Sequence, residues 1–344
     1  MMKRLFSLLF LGLFSLVAQC QTWPQQLNIT YVKAPFNIQN IVMKNQGLLE
    51  KEFAKEGIKI NWIPIKAGLN QVRGMAAGEI DMVAAMNTST LLIANSAGNR
   101  IVIVDGVAHP DDTFAIVAKP EVKNIVDLIA NSAGNRIVIV DGVAHPYDTF
   151  AIMAKPEVKN IVDLKGRQVV GPKGTVLHHL LSAALKSSGI EMKDVKWVSM
   201  NLPASLTTLL GGRADAALLA AGGILAAEKA GFHALVKAKG LIETNLVLAA
   251  RADFAKEYPD VVRRVAKVNR EALQWALTNK PQAIALGAKE LQLSKEDAAK
   301  LFEWSHFYSD LTQKDIDALQ NSQRFLLEQK MMNRSVDINT LIFK

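Results

Sequence analysis

Apolar runs of strand length alternate with amphipathic segments of helix length along most of this chain. The first block runs from a strand pattern at residues 27–31, through helical spacing at 38–56, to a second strand pattern at 58–62. This order is typical of βαβ units, in which a helix connects two parallel strands. The same order returns from residue 168 onward. The pattern therefore predicts an α/β fold with two similar lobes.

From residue 253 to the C-terminus the pattern becomes almost wholly helical, with apolar residues repeating on one helix face. Such a tail needs a surface on which to bury that face. A strand pattern at 246–250 precedes the tail, so we expect the chain to return to the first lobe there. The predicted domains are lobe 1 at residues 25–112 and 247–344, and lobe 2 at residues 149–246.

The chain contains an internal duplication of 36 residues. The segment 93–128 recurs as 129–164, and only two positions differ, where Asp111 becomes Tyr147 and Val117 becomes Met153. Two nearly identical copies indicate a recent tandem duplication or an error in the sequence, because a repeat architecture needs at least three diverged units. Only one copy can occupy the original place. We therefore assign residues 113–148, approximately, to a duplicated insert and hinge region.

The first 20 residues have the pattern of a secretory signal peptide. Lys3 and Arg4 precede an apolar run at residues 5–17, which is too short to cross a bilayer. Cleavage after Ala18 would release a free periplasmic protein, and we favour this over a lipid anchor at Cys20. Cys20 is the only cysteine, so disulfide frameworks and thiolate metal clusters are excluded.

Composition narrows the function further. The formal net charge is +8, but the basic residues are spread along the chain without a Lys/Arg run, which argues against nucleic-acid binding. A mild positive balance suits a small anionic ligand and equally suits solubility.

His178 and His179 are adjacent within a predicted helix, so they point to different faces, and a role in a core or cleft wall is favoured over metal binding. We expect no metal and no cofactor.

The segment 168–181 carries the clearest candidate chemistry. An apolar strand enters a turn that contains Gly174, and a helix follows directly. The backbone N–H groups of Gly174, Thr175 and Val176 would then be free to bind an anion. The alternative is that Thr175 only caps a helix of the core.

Four motifs, in this order, give the chain a family resemblance. They are Gln46-Gly47-Leu48-Leu49-Glu50-Lys51, Met75-Ala76-Ala77-Gly78-Glu79-Ile80-Asp81-Met82, the Leu164-Lys165-Gly166 entry into the strand and turn, and Leu210-Gly211-Gly212-Arg213-Ala214-Asp215-Ala216. On these motifs the chain resembles the periplasmic binding proteins of nitrate, taurine and aliphatic-sulfonate importers, the NMT1/THI5-like family. The resemblance covers nearly all of the chain except the signal peptide and the duplicated insert.

The resemblance implies a two-lobe periplasmic binding protein fold (type II), with the helical tail on the first lobe, that closes on a small solute. It also implies that the site lies at the carboxyl ends of strands. The candidate ligand-binding residues are Lys33, Phe36, Asn37, Asn70, Asn87, Thr88 and Ser89 from the first lobe, and Gly174, Thr175, Val176, His178 and Gly222 from the second.

The function implied is that of a solute-binding receptor for an ABC transporter, not an enzyme. It would capture a small anionic organic solute such as a sulfonate, taurine or nitrate, and deliver it to a permease in the inner membrane; we expect a monomer. A neutral heterocycle remains open, because the wall at residues 220–223 is small and apolar. The alternatives are binding or synthesis of a thiamine-pyrimidine precursor on the same fold, and ligand sensing for a membrane receptor. The synthetic relatives use a cysteine-rich iron motif that this chain lacks.

Overall fold

The computed structural model describes residues 23–33, 36–65, 68–108, 150–238, 241–242 and 245–343. Its strands are β1 (Gln26–Tyr31), β2 (Lys59–Pro64), β3 (Met82–Asn87), β4 (Ile101–Ala108), β5 (Phe150–Ala154), β6 (Gln168–Gly171), β7 (Lys196–Ser199), β8 (Ala216–Ala220), β9 (His233–Val236) and β10 (Leu246–Arg251). Its helices are α1 (Ile38–Asn45), α2 (Leu48–Glu52), α3 (Gly68–Ala76), α4 (Thr88–Ser96), α5 (Val176–Ser187), α6 (Leu202–Leu210), α7 (Gly222–Lys229), α8 (Ala252–Glu257), α9 (Pro259–Thr278), α10 (Lys280–Leu291), α11 (Lys295–Trp304) and α12 (Gln313–Glu328).

The strands form two mixed sheets with matching topology. The first sheet has the order β2-β1-β3-β10-β4 and the second has the order β7-β6-β8-β5-β9. In each sheet three strands are parallel and belong to consecutive βαβ units, while the fourth strand in the order is antiparallel to its neighbours. The chain passes from the first sheet to the second between β4 and β5, and returns between β9 and β10. The predicted α/β architecture with two similar lobes is therefore confirmed.

In the first sheet, an Asp at the end of a helix-to-strand turn ties three strands together. Gly78 has a φ of +75°, which lets the turn close after α3 at little steric cost. The N–H of Asp81 donates to the carbonyl of Asn28 at 2.9 Å, and the N–H of Asn28 donates to the carboxylate of Asp81 at 2.8 Å. The guanidinium of Arg251, at the end of β10, lies 3.6 Å from the same carboxylate.

The second sheet repeats this arrangement with different residues. Gly212 has a φ of +69°, and the N–H of Asp215 donates to the carbonyl of Gln168 at 2.9 Å. The N–H of Gln168 returns a 3.0 Å bond to the carboxylate of Asp215, and the amine of Lys155 lies 3.2 Å from that carboxylate. The shared Gly-x-x-Asp motif is thus a device for joining strands in both lobes.

The C-terminal helices lie on the first sheet, as predicted. Buried residues of α9 such as Val261 and Val265 share one apolar cluster with Leu27 and Ile29 of β1. Arg264 on the same helix binds the carboxylates of Glu52 and Glu56, each at 2.8 Å. Helix α9 therefore covers one face of the first sheet, while Leu319 and Leu326 of α12 pack in the apolar cluster on its other face.

One predicted helix is divided in two. The pattern at residues 38–56 predicts a single helix, but α1 ends at Asn45 and α2 begins at Leu48. Gly47 lies between them with a φ of +61°, in the left-handed region that ends helices and favours glycine. The prediction of one helix is wrong because apolar spacing continues across this break.

The two copies of the duplicated segment contribute to different sheets. The first copy supplies β4, whereas the second copy supplies β5. Residues 109–149, which contain the predicted insert at 113–148, lie outside the described residues. The predicted signal peptide at residues 1–20 also lies outside them. No helix in the described ranges is long and apolar enough to span a bilayer.

Candidate functional site

The carboxyl ends of the parallel strands of the two sheets lead into helices that meet between the lobes. Helix α4 begins directly after β3, and α5 follows β6 through the turn at residues 172–175. The hydroxyl of Thr90 on α4 donates to the carbonyl of Gly174 at 3.3 Å. The N-terminal turns of these two helices are therefore in contact across the boundary between the lobes.

The Gly174 turn leaves two helix N–H groups without an acceptor because the Thr175 side chain bonds elsewhere. Gly174 has a φ of +70°, and the Thr175 hydroxyl donates to the carbonyl of Pro172 at 2.9 Å instead of capping the helix. The N–H of Gly174 donates to Nδ1 of His178 at 3.3 Å, so it is not free to bind an anion, contrary to the prediction from the sequence. Within the described chain, the N–H groups of Thr175 and Val176 make no hydrogen bond. These two donors lie at the positive end of the α5 dipole and can therefore bind an anion.

The start of α4 is held by its own polar groups. The side chain of Asn87 caps the helix by accepting from the N–H of Thr90 at 2.8 Å. The N–H of Thr88 donates to the carbonyl of Asn245, and its hydroxyl accepts from the Asn245 N–H at 3.3 Å. Ser89 is fully buried, and its hydroxyl lies 3.2 Å from Nδ1 of His179 in the opposite lobe. Asn87 and Thr88 thus fix the helix, while Ser89 reaches across.

The two adjacent histidines point to different surroundings, as their positions predict. The ring of His178 stacks on Trp197 with 5.4 Å between centroids, and burial together with the charge of Lys173 lowers the pKa of His178 to about 4. Burial, with a smaller effect from His178, lowers the pKa of His179 to about 3. Both rings are therefore neutral near pH 7. No group of three or more potential metal ligands occurs among the described residues.

The loop after β1 contains three candidate residues with structural contacts. The amine of Lys33 donates to the carbonyl of Glu290 at 2.8 Å and lies 3.6 Å from its carboxylate. Phe36 is only 1% exposed and packs edge-on against Phe302, so its side chain belongs to the core. The side-chain amide of Asn37 donates to the carbonyl of Val32 at 2.8 Å. These contacts hold the loop against the helical tail.

The remaining candidates lie at two other helix starts. Asn70 is exposed in the first turn of α3. Gly222 begins α7, where an added Cβ would lie 3.6 Å from Leu293 of the first lobe. The preceding residue, Ala221, is buried in the first-lobe core and has a φ of +48°, which is unusual for a residue other than glycine. The structure thus brings Gly222 to a second contact between the lobes, far along the chain from the Gly174 turn.

Thr90, His179 and Ala221 all touch the opposite lobe, although none of them is among the candidate ligand-binding residues. The sequence assigned His179 to a core or cleft wall and included Ala221 in the small apolar wall at residues 220–223, but it did not indicate Thr90. Only the adjacency of Thr90 to the predicted helix start could have suggested it. Their contacts depend on which part of the opposite lobe lies against them in the folded molecule.

A groove of about 940 Å³ opens beside the Gly174 turn. Residues of both lobes line it, among them Ile93, Lys173, Gly174, His178, Trp197 and Met331. The turn therefore borders open space and is not enclosed by neighbouring chain. The amine of Lys173 adds positive charge at this end of the groove.

Two proteins that are named for the solutes they bind are similar in sequence to this chain. A putative aliphatic sulfonates-binding protein of Escherichia coli (strain K12) is 23% identical over 299 residues, which cover 85% of this chain and 81% of that protein. The taurine-binding periplasmic protein of the same strain is 25% identical over 235 residues, 67% of this chain and 62% of that protein.

A solved structure confirms the fold. The alkanesulfonate-binding protein SsuA from Xanthomonas axonopodis pv. citri, bound to MOPS, aligns with a TM-score of 0.74 at 19% identity and covers 93% of this chain and 99% of that one. The predicted two-lobe periplasmic binding protein fold is therefore correct. The family model described as NMT1/THI5 like matches residues 107–284, from the end of β4 into α10. Because this match spans more than half of the sequence, the chain belongs to the NMT1/THI5-like family.

Proposed function

We propose that this protein is the exported solute receptor of an ATP-driven importer and that it binds a small organic anion of the sulfonate or taurine class. The observation that carries the proposal is the meeting of two helix N-termini from opposite lobes, with the N–H groups of Thr175 and Val176 left without acceptors in the described chain. A sulfonate group presents three oxygens that can accept from such donors. The names of the sequence relatives support the same solute class.

The binding mechanism follows from the position of the site between the lobes. The backbone N–H of Ser89, in the first turn of α4, also makes no hydrogen bond within the described residues. Backbone donors from both lobes can therefore contact one solute. Such a solute favours the closed arrangement, because only there does it accept hydrogen bonds from both lobes at once. Asn70, Lys173 and Gly222 would line the surroundings. A permease in the membrane would then recognise the closed form, with the receptor acting as a monomer outside the cytoplasm.

Solute class is tested by thermal unfolding of the purified protein with taurine, short alkanesulfonates, nitrate and a neutral pyrimidine. A solute that binds only the folded state adds about 2.7 kcal/mol of stability at 100 times its Kd. We expect taurine or an alkanesulfonate to raise Tm, with sodium chloride at equal ionic strength as the control. Stabilisation by the pyrimidine alone would contradict an anion site.

The role of the α5 N-terminus is tested by removing one N–H. Val176 is the first residue of the helix, where proline is tolerated, and Thr175 before it is already extended with a φ of −123°. Val176→Pro deletes the donor, whereas Val176→Ala keeps it and loses similar apolar contacts. We expect Val176→Pro to raise the Kd for the sulfonate roughly 10- to 100-fold above that of Val176→Ala, the value of a charge-assisted hydrogen bond. Equal affinities in isothermal titration calorimetry would place the anion elsewhere.

A further inference from the structure

The last helix of the tail touches both lobes. Helix α12 packs against α4, and its buried residues Leu319 and Leu326 belong to an apolar cluster of the first lobe. At its C-terminal end, however, Phe325 packs against the core cluster of the second lobe. One helix thus spans the boundary at a place where the chain does not cross between the sheets.

Three residues along one face of α5 receive this end of α12. The ring of His179 lies 4.5 Å from the ring of Phe325, with 29° between the planes. One turn later the hydroxyl of Ser182 donates to Oε1 of Gln329 at 3.0 Å. The spacing of three and seven residues places His179, Ser182 and Lys186 on one side of the helix.

The third contact is an ion pair. The amine of Lys186 lies 2.8 Å from the carboxylate of Glu328, and both side chains are 52% exposed. An exposed pair of this kind contributes little, because water and salt screen it. The aromatic contact is different, because His179 is only 2% exposed and neutral, so its ring packs as an apolar surface. The Phe325–His179 stack therefore contributes more to the attraction than the ion pair does.

His179 also contacts the first lobe from a second direction. Its Nδ1 lies 3.2 Å from the hydroxyl of Ser89, which is itself fully buried. The ring is thus held between α4 and α12, one turn after the candidate anion donors at Thr175 and Val176. A movement that separated the lobes would break the stack with Phe325 and the bond to Ser89 together.

We propose that the end of α12 is a clasp that stabilises the closed arrangement of the lobes before any solute binds. Phe325 and His179 are its main positioning residues. The clasp residues on α12 lie outside the proposed anion site, so their contribution reaches the solute only through the closed population. Apparent affinity scales with the fraction of molecules in the binding-competent state. This role in affinity rests on the proposed function, whereas the effect on lobe separation does not.

The test compares two truncations on neighbouring residues of α12. Phe325→Ala removes the ring that contacts the second lobe, whereas Leu327→Ala removes an apolar side chain that packs on the first-lobe cluster. Small-angle X-ray scattering without solute measures the separation of the lobes, and calorimetry with taurine or an alkanesulfonate measures affinity. We expect Phe325→Ala to increase the radius of gyration and to raise Kd roughly 5- to 30-fold. Leu327→Ala should lower Tm and change neither quantity.

An unchanged radius of gyration in Phe325→Ala would overturn the clasp, whether or not the protein binds sulfonates. Absence of binding by the unmodified protein would contradict the proposed function alone, because scattering still reports on the lobes. Should Phe325→Ala fail to fold, the double variant Ser182→Ala with Gln329→Ala removes the adjacent hydrogen bond without opening a cavity. It should shift the scattering in the same direction by a smaller amount, and no shift would count against the clasp.

Discussion

Three histidines of the described chain are neutral because folding removes them from water. Burial lowers the pKa of His179 and of His233 to about 3, and burial with the nearby charge of Lys173 lowers that of His178 to about 4. In the unfolded chain each ring takes up a proton near its usual pKa of about 6.5. The stability that depends on neutral rings is therefore present above that pH and is lost as the pH falls towards 3 or 4.

We predict that the free energy of unfolding decreases as the pH is lowered from 6.5 to 4.5. Each such histidine contributes a slope of about 1.4 kcal/mol per pH unit within this window. His233 is the sharpest case, because it is 3% exposed and neither ring nitrogen has a hydrogen-bond partner within the described residues. His233→Leu should reduce the slope of the free energy of unfolding against pH by the contribution of one histidine. It should also raise the free energy of unfolding at pH 7. Urea unfolding at several pH values measures this, and an unchanged slope would contradict it.

At the scale of single residues, the sequence predicts those parts of the candidate site that local structure determines. The turn at Gly174 follows from a strand, a glycine and a helix start in succession, and the structure has this order. The burial of Phe36 could not be predicted, because Phe302 and the tail that cover it lie far along the chain. The role of His179 likewise depends on Ser89 and Phe325, which approach it only in the folded molecule.

At the scale of elements, the two Gly-x-x-Asp turns have the same geometry but different electrostatics. Burial dominates at Asp81 and raises the pKa of its carboxyl. At Asp215 burial also opposes the charge, but the N–H of Gln168 and the side chain of Lys155 outweigh it and lower the pKa. Folding thus disfavours the charge of Asp81 and favours the charge of Asp215.

We predict that replacing Asp215 by Asn lowers the free energy of unfolding more than replacing Asp81 by Asn. Asp215→Asn should lower the free energy of unfolding at pH 7.5 by about 1–2 kcal/mol, because it loses charge-assisted hydrogen bonds. Asp81→Asn keeps an acceptor for Asn28 and loses a charge that burial opposes, so it should cost less. Chemical denaturation compares the two, and a larger loss for Asp81→Asn would show that its contact with Arg251 outweighs burial.

The order of elements could be predicted because strands and helices have different apolar periods. Boundaries that depend on backbone conformation could not be predicted, and Gly47 dividing α1 from α2 is the clearest example. The edge strand β9 was also missed. It has only four residues, too few to show an apolar period, so pairing with β5 decides its conformation.

At the scale of the whole molecule, the described parts of the two lobes touch at several places. The Gly174 turn meets Thr90, the end of α12 meets α5, and α7 meets the tail through an ion pair of 2.6 Å between Lys229 and Asp297. These contacts lie on different elements of the second lobe. Two of these contacts involve the tail, so the tail connects the lobes as directly as the turns at the ends of the strands do.

Because of the duplication, we predict that the fold tolerates deletion of one copy. Because the copies are identical from residue 93 to 110 and from 129 to 146, deleting 93–128 or deleting 109–144 gives the same protein, in which five residues join β4 to β5. Both strands would keep all of their described pairings. The deletion shortens the connection between the strands from 41 residues to five, and for a flexible connection this lowers the entropic cost of closing the loop by about 2 kcal/mol. We expect the deletion protein to have a Tm at least equal to that of the full chain and to keep solute affinity. A lower Tm with loss of cooperative unfolding would mean that the additional copy has become part of the folded structure.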